Sequence, residues 1–145
     1  MREVIQKWYD WLKQATSPEK KELARVYSDG RQLWATDGYS LHARQVATEK
    51  QGHVTLDEDG LFQVSANGHL PDFAASLPQS QPATSVVVER DKLLQALAGQ
   101  DRHVRLTFFT QDHTMELSSA GAYALVMPLV GLEEEDFWRP QIPNN

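Results

Sequence analysis

One carboxylate in this chain stands where it could act chemically. It is Asp37, in the run Trp34-Ala35-Thr36-Asp37-Gly38-Tyr39-Ser40-Leu41-His42-Ala43-Arg44. Three roles are open to it: a general acid or base, a metal ligand, or the corner of a sheet. Acid-base work needs a partner that moves the carboxyl pKa toward the working pH. No His or Lys flanks Asp37 to do so. Asp also accepts hydrogen bonds from backbone N–H groups in turns, and Gly38 can take a positive φ. The pattern favours a strand corner over a catalytic group.

The other reactive side chains are scattered. The histidines are His42, His53, His69, His103 and His113, and none pairs at metal-ligand spacing. The chain has no cysteine, which removes disulfides, thiolate catalysis and Cys-based zinc sites. Gly-rich phosphate loops and the G-x-S-x-G nucleophile turn are missing from it. Asp57-Glu58-Asp59-Gly60 lacks the ligand spacing of a calcium loop and reads as a hairpin tip. Glu133-Glu134-Glu135-Asp136 reads as a solvated acidic run. A small enzyme with a site assembled in the 66–84 loop, using His69 and Asp72, is a third reading beside the binding ones. The expectation is a non-enzymatic protein with no cofactor and no metal.

The elements that must position these residues follow from periodicity. Val4, Ile5, Trp8, Trp11, Leu12 and Ala15 recur at three- and four-residue steps, predicting a helix over 2–15. Ser17-Pro18 predicts a stop and a short helical restart. Strands are predicted at 23–28, 32–36, 39–47, 53–56 and 61–65, with hairpin turns at Asp29-Gly30 and Asp57–Gly60 and a terminating Asn67-Gly68. Pro71, Pro78 and Pro82 make 66–84 a loop. A buried strand is expected at 85–88, and a helix at 89–98 with Leu93, Leu94 and Leu97 inward and Gly99 as its stop. Strands at 104–110, 114–119 and 123–128 close the chain. This order predicts an α+β fold, two helices on one face of an antiparallel sheet.

Length and charge bound the rest. A chain of 145 residues fits one domain and can bury roughly 68% of its unfolded surface without a staple. Its start is mixed in character and no run approaches a membrane span, so a soluble cytoplasmic protein is expected. The net charge is −6. Residues 1–31 hold seven Lys/Arg against five Asp/Glu, a net of +2; the remainder holds seven against fifteen, a net of −8. Either a mildly basic face sits on an acidic body, or mixed charges solvate a helix.

Several segments, in order, carry a resemblance. Residues 26–43, VYSDGRQLWATDGYSLHA, resemble the middle domain of the sliding clamp (beta subunit) of bacterial DNA polymerase III, where an acidic-Gly hairpin leads into ATDGHRLA. Residues 84–97, TSVVVERDKLLQAL, look like the clamp's strand and second helix. Residues 104–109, VRLTFF, and 115–131, MELSSAGAYALVMPLVG, resemble its closing strands with their V-M-P ending. Asp136-Phe137-Trp138 resembles the segment joining one clamp domain to the next. The likeness covers 22–47 and 84–138. It departs from the family at 48–83, which reads as an added hairpin and proline loop. It departs again at Tyr39-Ser40, where the family has a basic pair. Clamp chains carry three such domains and this chain carries one, spanning 1–131, with 132–145 as an acidic extended tail.

The resemblance implies a DNA clamp (processivity) fold and a role in DNA replication or repair. Helices line a ring of about six domains and meet phosphates without reading sequence, so binding is salt-sensitive. Acidic overall charge is compatible with a basic inner lining. The positions facing DNA would be Lys7, Lys13, Lys20, Arg90 and Lys92, with simple solvation of the helices as the alternative. Polymerases and repair proteins dock short linear peptides in an apolar pocket. Here Thr36, Gly38, Tyr39 and Leu41 would give one wall and Val126, Met127 and Pro128 the other. Ordinary core packing is the alternative for Leu41 and Met127. A one-domain chain would close its ring by homo-oligomerising. The second reading is a clamp-fold adaptor or clamp regulator that binds protein and no DNA.

Overall fold

The computed structural model describes residues 1–66, 70–109, 111–132 and 136–140. The protein is α+β, with two helices and antiparallel sheets. It divides into two compact units, Met1–Gln79 with Trp138–Asn145, and Ser80–Phe137. The strands form two sheets, one of five strands and one of three, where the sequence led us to expect a single sheet. The proline-containing segment between β5 and α2 contributes no strand among its described residues, so no ladder joins the two sheets.

The first unit is built from α1 (Arg2–Lys13) and strands β1 (Val26–Asp29), β2 (Gln32–Thr36), β3 (Leu41–Gln45), β4 (Gln51–Leu56) and β5 (Phe62–Ser65). The sheet order is β3-β2-β1-β4-β5, so β1 is central and pairs antiparallel with both β2 and β4. The β1–β2 hairpin forms where Asp29-Gly30 predicted it. The Asp29 carboxylate accepts hydrogen bonds from the N–H groups of Arg31 at 2.9 Å and Gln32 at 3.0 Å. The β4–β5 turn repeats the device, with Asp57 accepting from the N–H groups of Asp59 and Leu61, both at 2.9 Å. The expected helical restart at Pro18 is instead a 3-10 turn at Lys21–Leu23, without a side-chain cap.

Alternation along the strands sorts side chains onto two faces. Val26, Leu33, Ala35 and Val54 face α1 and pack with Leu12 and Ala15. Ile5, Leu12 and Ala15 are buried as the helical period predicts, whereas Val4 and Trp11 remain exposed. The opposite face carries Tyr27 stacked on Trp34, at 5.2 Å between ring centroids. Leu41, Ala43, Leu70 and Leu77 pack against that pair. Two residues of the proline loop thus cover the second face, and β2 is buried along its whole length.

The second unit contains α2 (Arg90–Ala98) and the meander β6 (Arg105–Phe108), β7 (Met115–Ser118), β8 (Tyr123–Val126). Met115, Leu117 and Val126 form its core, with Val86, Val88, Leu93 and Ala96 packed against them. Residues 85–88, expected as a strand, join no sheet; Val87 O accepts one bond from Leu129 N–H at 2.7 Å. Leu93 turns inward as expected, but Leu94 and Leu97 are exposed, because the inward face runs through Leu93 and Ala96. The Asn67-Gly68 turn, and residues 133–135 and 141–145 of the expected tail, lie outside the described residues. Among the described residues no helix is long and apolar enough to cross a membrane.

Candidate functional site

The β2–β3 turn is built by Thr36 and Asp37. Thr36 Oγ1 donates to Ser40 O at 2.7 Å and accepts from Gly38 N–H at 3.1 Å. One Asp37 oxygen, Oδ1, accepts from Tyr39 N–H at 2.8 Å, Ser40 N–H at 2.7 Å and the Ser40 hydroxyl at 3.2 Å. Gly38 has φ 90°, which a side chain would resist. The Ser40 and Tyr39 backbone bonds to the charged form hold the Asp37 carboxyl below its ordinary range. A carboxylate so stabilised is a weak base and a poor proton donor near neutral pH. Its hydrogen bonds serve the turn, which is the corner geometry the sequence predicted.

The consequence of that turn is Tyr39. Its side chain is 94% exposed at the tip, on backbone pinned from both sides. Thr36 is buried, Gly38 is exposed, and Leu41 is half-buried against the Tyr27–Trp34 stack. In the other unit Val126 is a buried core residue, Met127 is 64% exposed, and Pro128 is half-buried. The two expected walls therefore belong to separate units. In the first, Tyr39 offers the accessible apolar surface; in the second, Met127 does. Leu41 and Val126 contribute chiefly to packing.

The five cationic candidates are all exposed. Lys7, Lys13 and Lys20 belong to the first unit, Arg90 and Lys92 to the second. Lys13 Nζ donates to Ala24 O at 3.4 Å. Arg90 Nε lies 3.1 Å from Asp91 Oδ1, with both side chains well solvated. An exposed pair of this kind contributes about 0–1 kcal/mol to stability and leaves both groups accessible. Of the residues considered for a small enzyme, Asp72 is exposed and His69 lies outside the described residues.

Other contacts were not read from the sequence. Trp11 stacks on His42 at 4.2 Å between centroids, and His42 Nδ1 donates to Trp11 O at 2.7 Å. Arg44 lies over the Trp8 ring, 3.7 Å from its centroid. These two pairs fasten α1 to β3, and each joins residues more than thirty positions apart, which no local pattern signals. In the second unit an open cleft of ≈ 580 Å³ is lined by His103, Val104, Arg105, Ser118, Ser119 and Ala120. Its His103 and Arg105 side chains suit a small polar or anionic group, while the Ser119 hydroxyl is engaged, donating to Gln100 Oε1 at 2.8 Å and accepting from Asp101 N–H at 3.0 Å; the Arg102-His103-Val104-Arg105 run was the available signal. Among the described residues no group of three or more His, Asp or Glu could hold a metal ion. No family model matches the chain, and neither a curated protein nor a solved structure matches it.

Proposed function

We propose that this protein is a clamp-like binding module of DNA replication or repair, with a DNA clamp fold, that holds duplex DNA without sequence preference and docks partner peptides. The observation that supports it best is the A-T-D-G segment. The residues that carry the resemblance fold into a rigid corner between antiparallel strands, and that corner presents Tyr39 to solvent. Each unit also supplies a helix packed on antiparallel strands, the ingredients the resemblance calls for. Lys7, Lys13 and Lys20, with Arg90 and Lys92, meet phosphates in this reading. Tyr39, beside Thr36, Gly38 and Leu41 in the first unit, and Met127, beside Val126 and Pro128 in the second, each meet apolar anchors of a polymerase or repair peptide.

The test is duplex binding followed by fluorescence anisotropy across a salt series. Each phosphate neutralised contributes a slope of about −0.9 in log K against log salt, so five cations give at most about −4.5 per chain. Lys7→Glu with Lys92→Glu should flatten that slope. A slope unchanged in the double variant would refute the helix-face assignment.

A second reading has its own support. Asp10, Glu89 and Asp91 interrupt the cations, and Arg90 is engaged by Asp91. These acids favour a clamp-fold adaptor or clamp regulator that binds protein and no DNA. Absence of duplex binding even at low salt selects it.

A further inference from the structure

Both units repeat one plan, a helix followed by a three-strand antiparallel meander. α1 precedes β1, β2 and β3; α2 precedes β6, β7 and β8. β6 therefore holds the place in its meander that β1 holds in the other. The two strands differ on the side away from the meander. There β1 pairs with β4, Val26 lies opposite Val54, and both are buried. β6 pairs with β7 and, among the described residues, has no strand on its other side. Past the end of β8, Leu129 N–H bonds Val87 O, outside any strand.

The missing neighbour shows in the side chains. Leu106 lies opposite Leu117, and Phe108 opposite Met115, so all four share the core-facing side of the sheet. Leu117 is fully buried and Met115 is 6% exposed. One strand outward, Leu106 is 48% and Phe108 39% exposed. An edge strand with apolar side chains and no proline invites another strand.

We propose that a second copy of this chain covers that edge, β6 pairing antiparallel with β6 about a two-fold axis perpendicular to the sheet. Such an axis keeps the apolar sides of both sheets together, since directly opposed residues share a face. Centred on Thr107, the register sets Leu106 opposite Phe108 of the second copy, twice. Arg105 then meets Phe109 of the second copy, so no like charges are opposed. Residues 105–109, the strand Arg105–Phe108 and Phe109 just past it, are self-complementary in this way and close on two chains only. The inference stands apart from DNA or peptide binding, neither of which uses this edge.

The chain's lack of cysteine makes the test direct. Thr107→Cys places two thiols across the axis, where opposed residues have Cα atoms about 4.5–5.5 Å apart, a spacing that a disulfide spans. Mild oxidation should give a covalent dimer, while Gln63→Cys on the exposed side of β5 should not. Light scattering at tens of micromolar should give twice 16.4 kDa. Leu106→Lys should raise the dimer dissociation constant by about tenfold or more while circular dichroism is retained. A monomer mass throughout overturns the proposal. So does equal cross-linking at Gln63→Cys, or a larger species indifferent to Leu106→Lys. Should Leu106→Lys fail to fold, the Thr107→Cys cross-link alone decides.

Discussion

Three aspartates do the same work at three turns. Asp29, Asp37 and Asp57 each direct a carboxylate oxygen to backbone N–H groups two to four residues ahead. Each turn also holds a glycine with positive φ: Gly30, Gly38 and Gly60. Asp37 yields a pH prediction. Its folded carboxyl titrates below the ordinary value of about 3.9, so the fold favours the charged form. That contribution is complete above the ordinary value and is lost as pH falls through the depressed folded midpoint. An NMR titration should place the Asp37 midpoint below that of a solvated aspartate. The stability gap between the protein and Asp37→Asn should close as the pH drops below about 4. A midpoint at or above the ordinary value would contradict the turn geometry. The aspartate-glycine pairs were legible in sequence because a turn is a local device. The Trp11–His42 and Trp8–Arg44 pairs were not, since only the folded chain brings α1 onto β3.

Elements were legible where one face is buried and the period is clean. α1 and the β1–β2 hairpin formed close to their predicted bounds for that reason. Residues 85–88 did not become a sheet strand. A valine run reports burial, and Val86 and Val88 are indeed packed on the core, but burial does not require a ladder. Pairing of β4 with β1, across the intervening β2 and β3, was likewise invisible to local patterning. The β4–β5 pairing on its other side leans on Gly52, which lies opposite Ser28 of β1 and has φ 153°. A Cβ there would collide with the Ser65 carbonyl oxygen of the neighbouring β5. Gly52→Ala should therefore destabilise the protein by about 1–3 kcal/mol in urea unfolding. Wild-type stability in that variant would mean that β4 and β5 pair otherwise.

At the scale of the molecule, each of the two units packs on buried residues of its own. Leu12, Val26, Leu33 and Val54 belong to the first, Met115, Leu117 and Val126 to the second. Leu12 is fully buried, so Leu12→Ala should cost about 2–5 kcal/mol. Amide exchange should then quicken first in β1 to β5, before β6 to β8. Uniform acceleration across all eight strands would show the cores unfolding as one. The cationic candidates are divided between these units as well, three on one and two on the other.

Composition, period and turn chemistry by themselves settled the α+β class, the main hairpin corners and the helix seeds. Each depends on interactions within a few residues, and those are written into the order of side chains. Tertiary structure alone decided that the strands form two sheets, that Leu70 and Leu77 cover the second face of the larger one, and that β6 has no second neighbour among the described residues. These features arise from pairings distant in sequence, whose choice rests on the total apolar surface each arrangement removes from water.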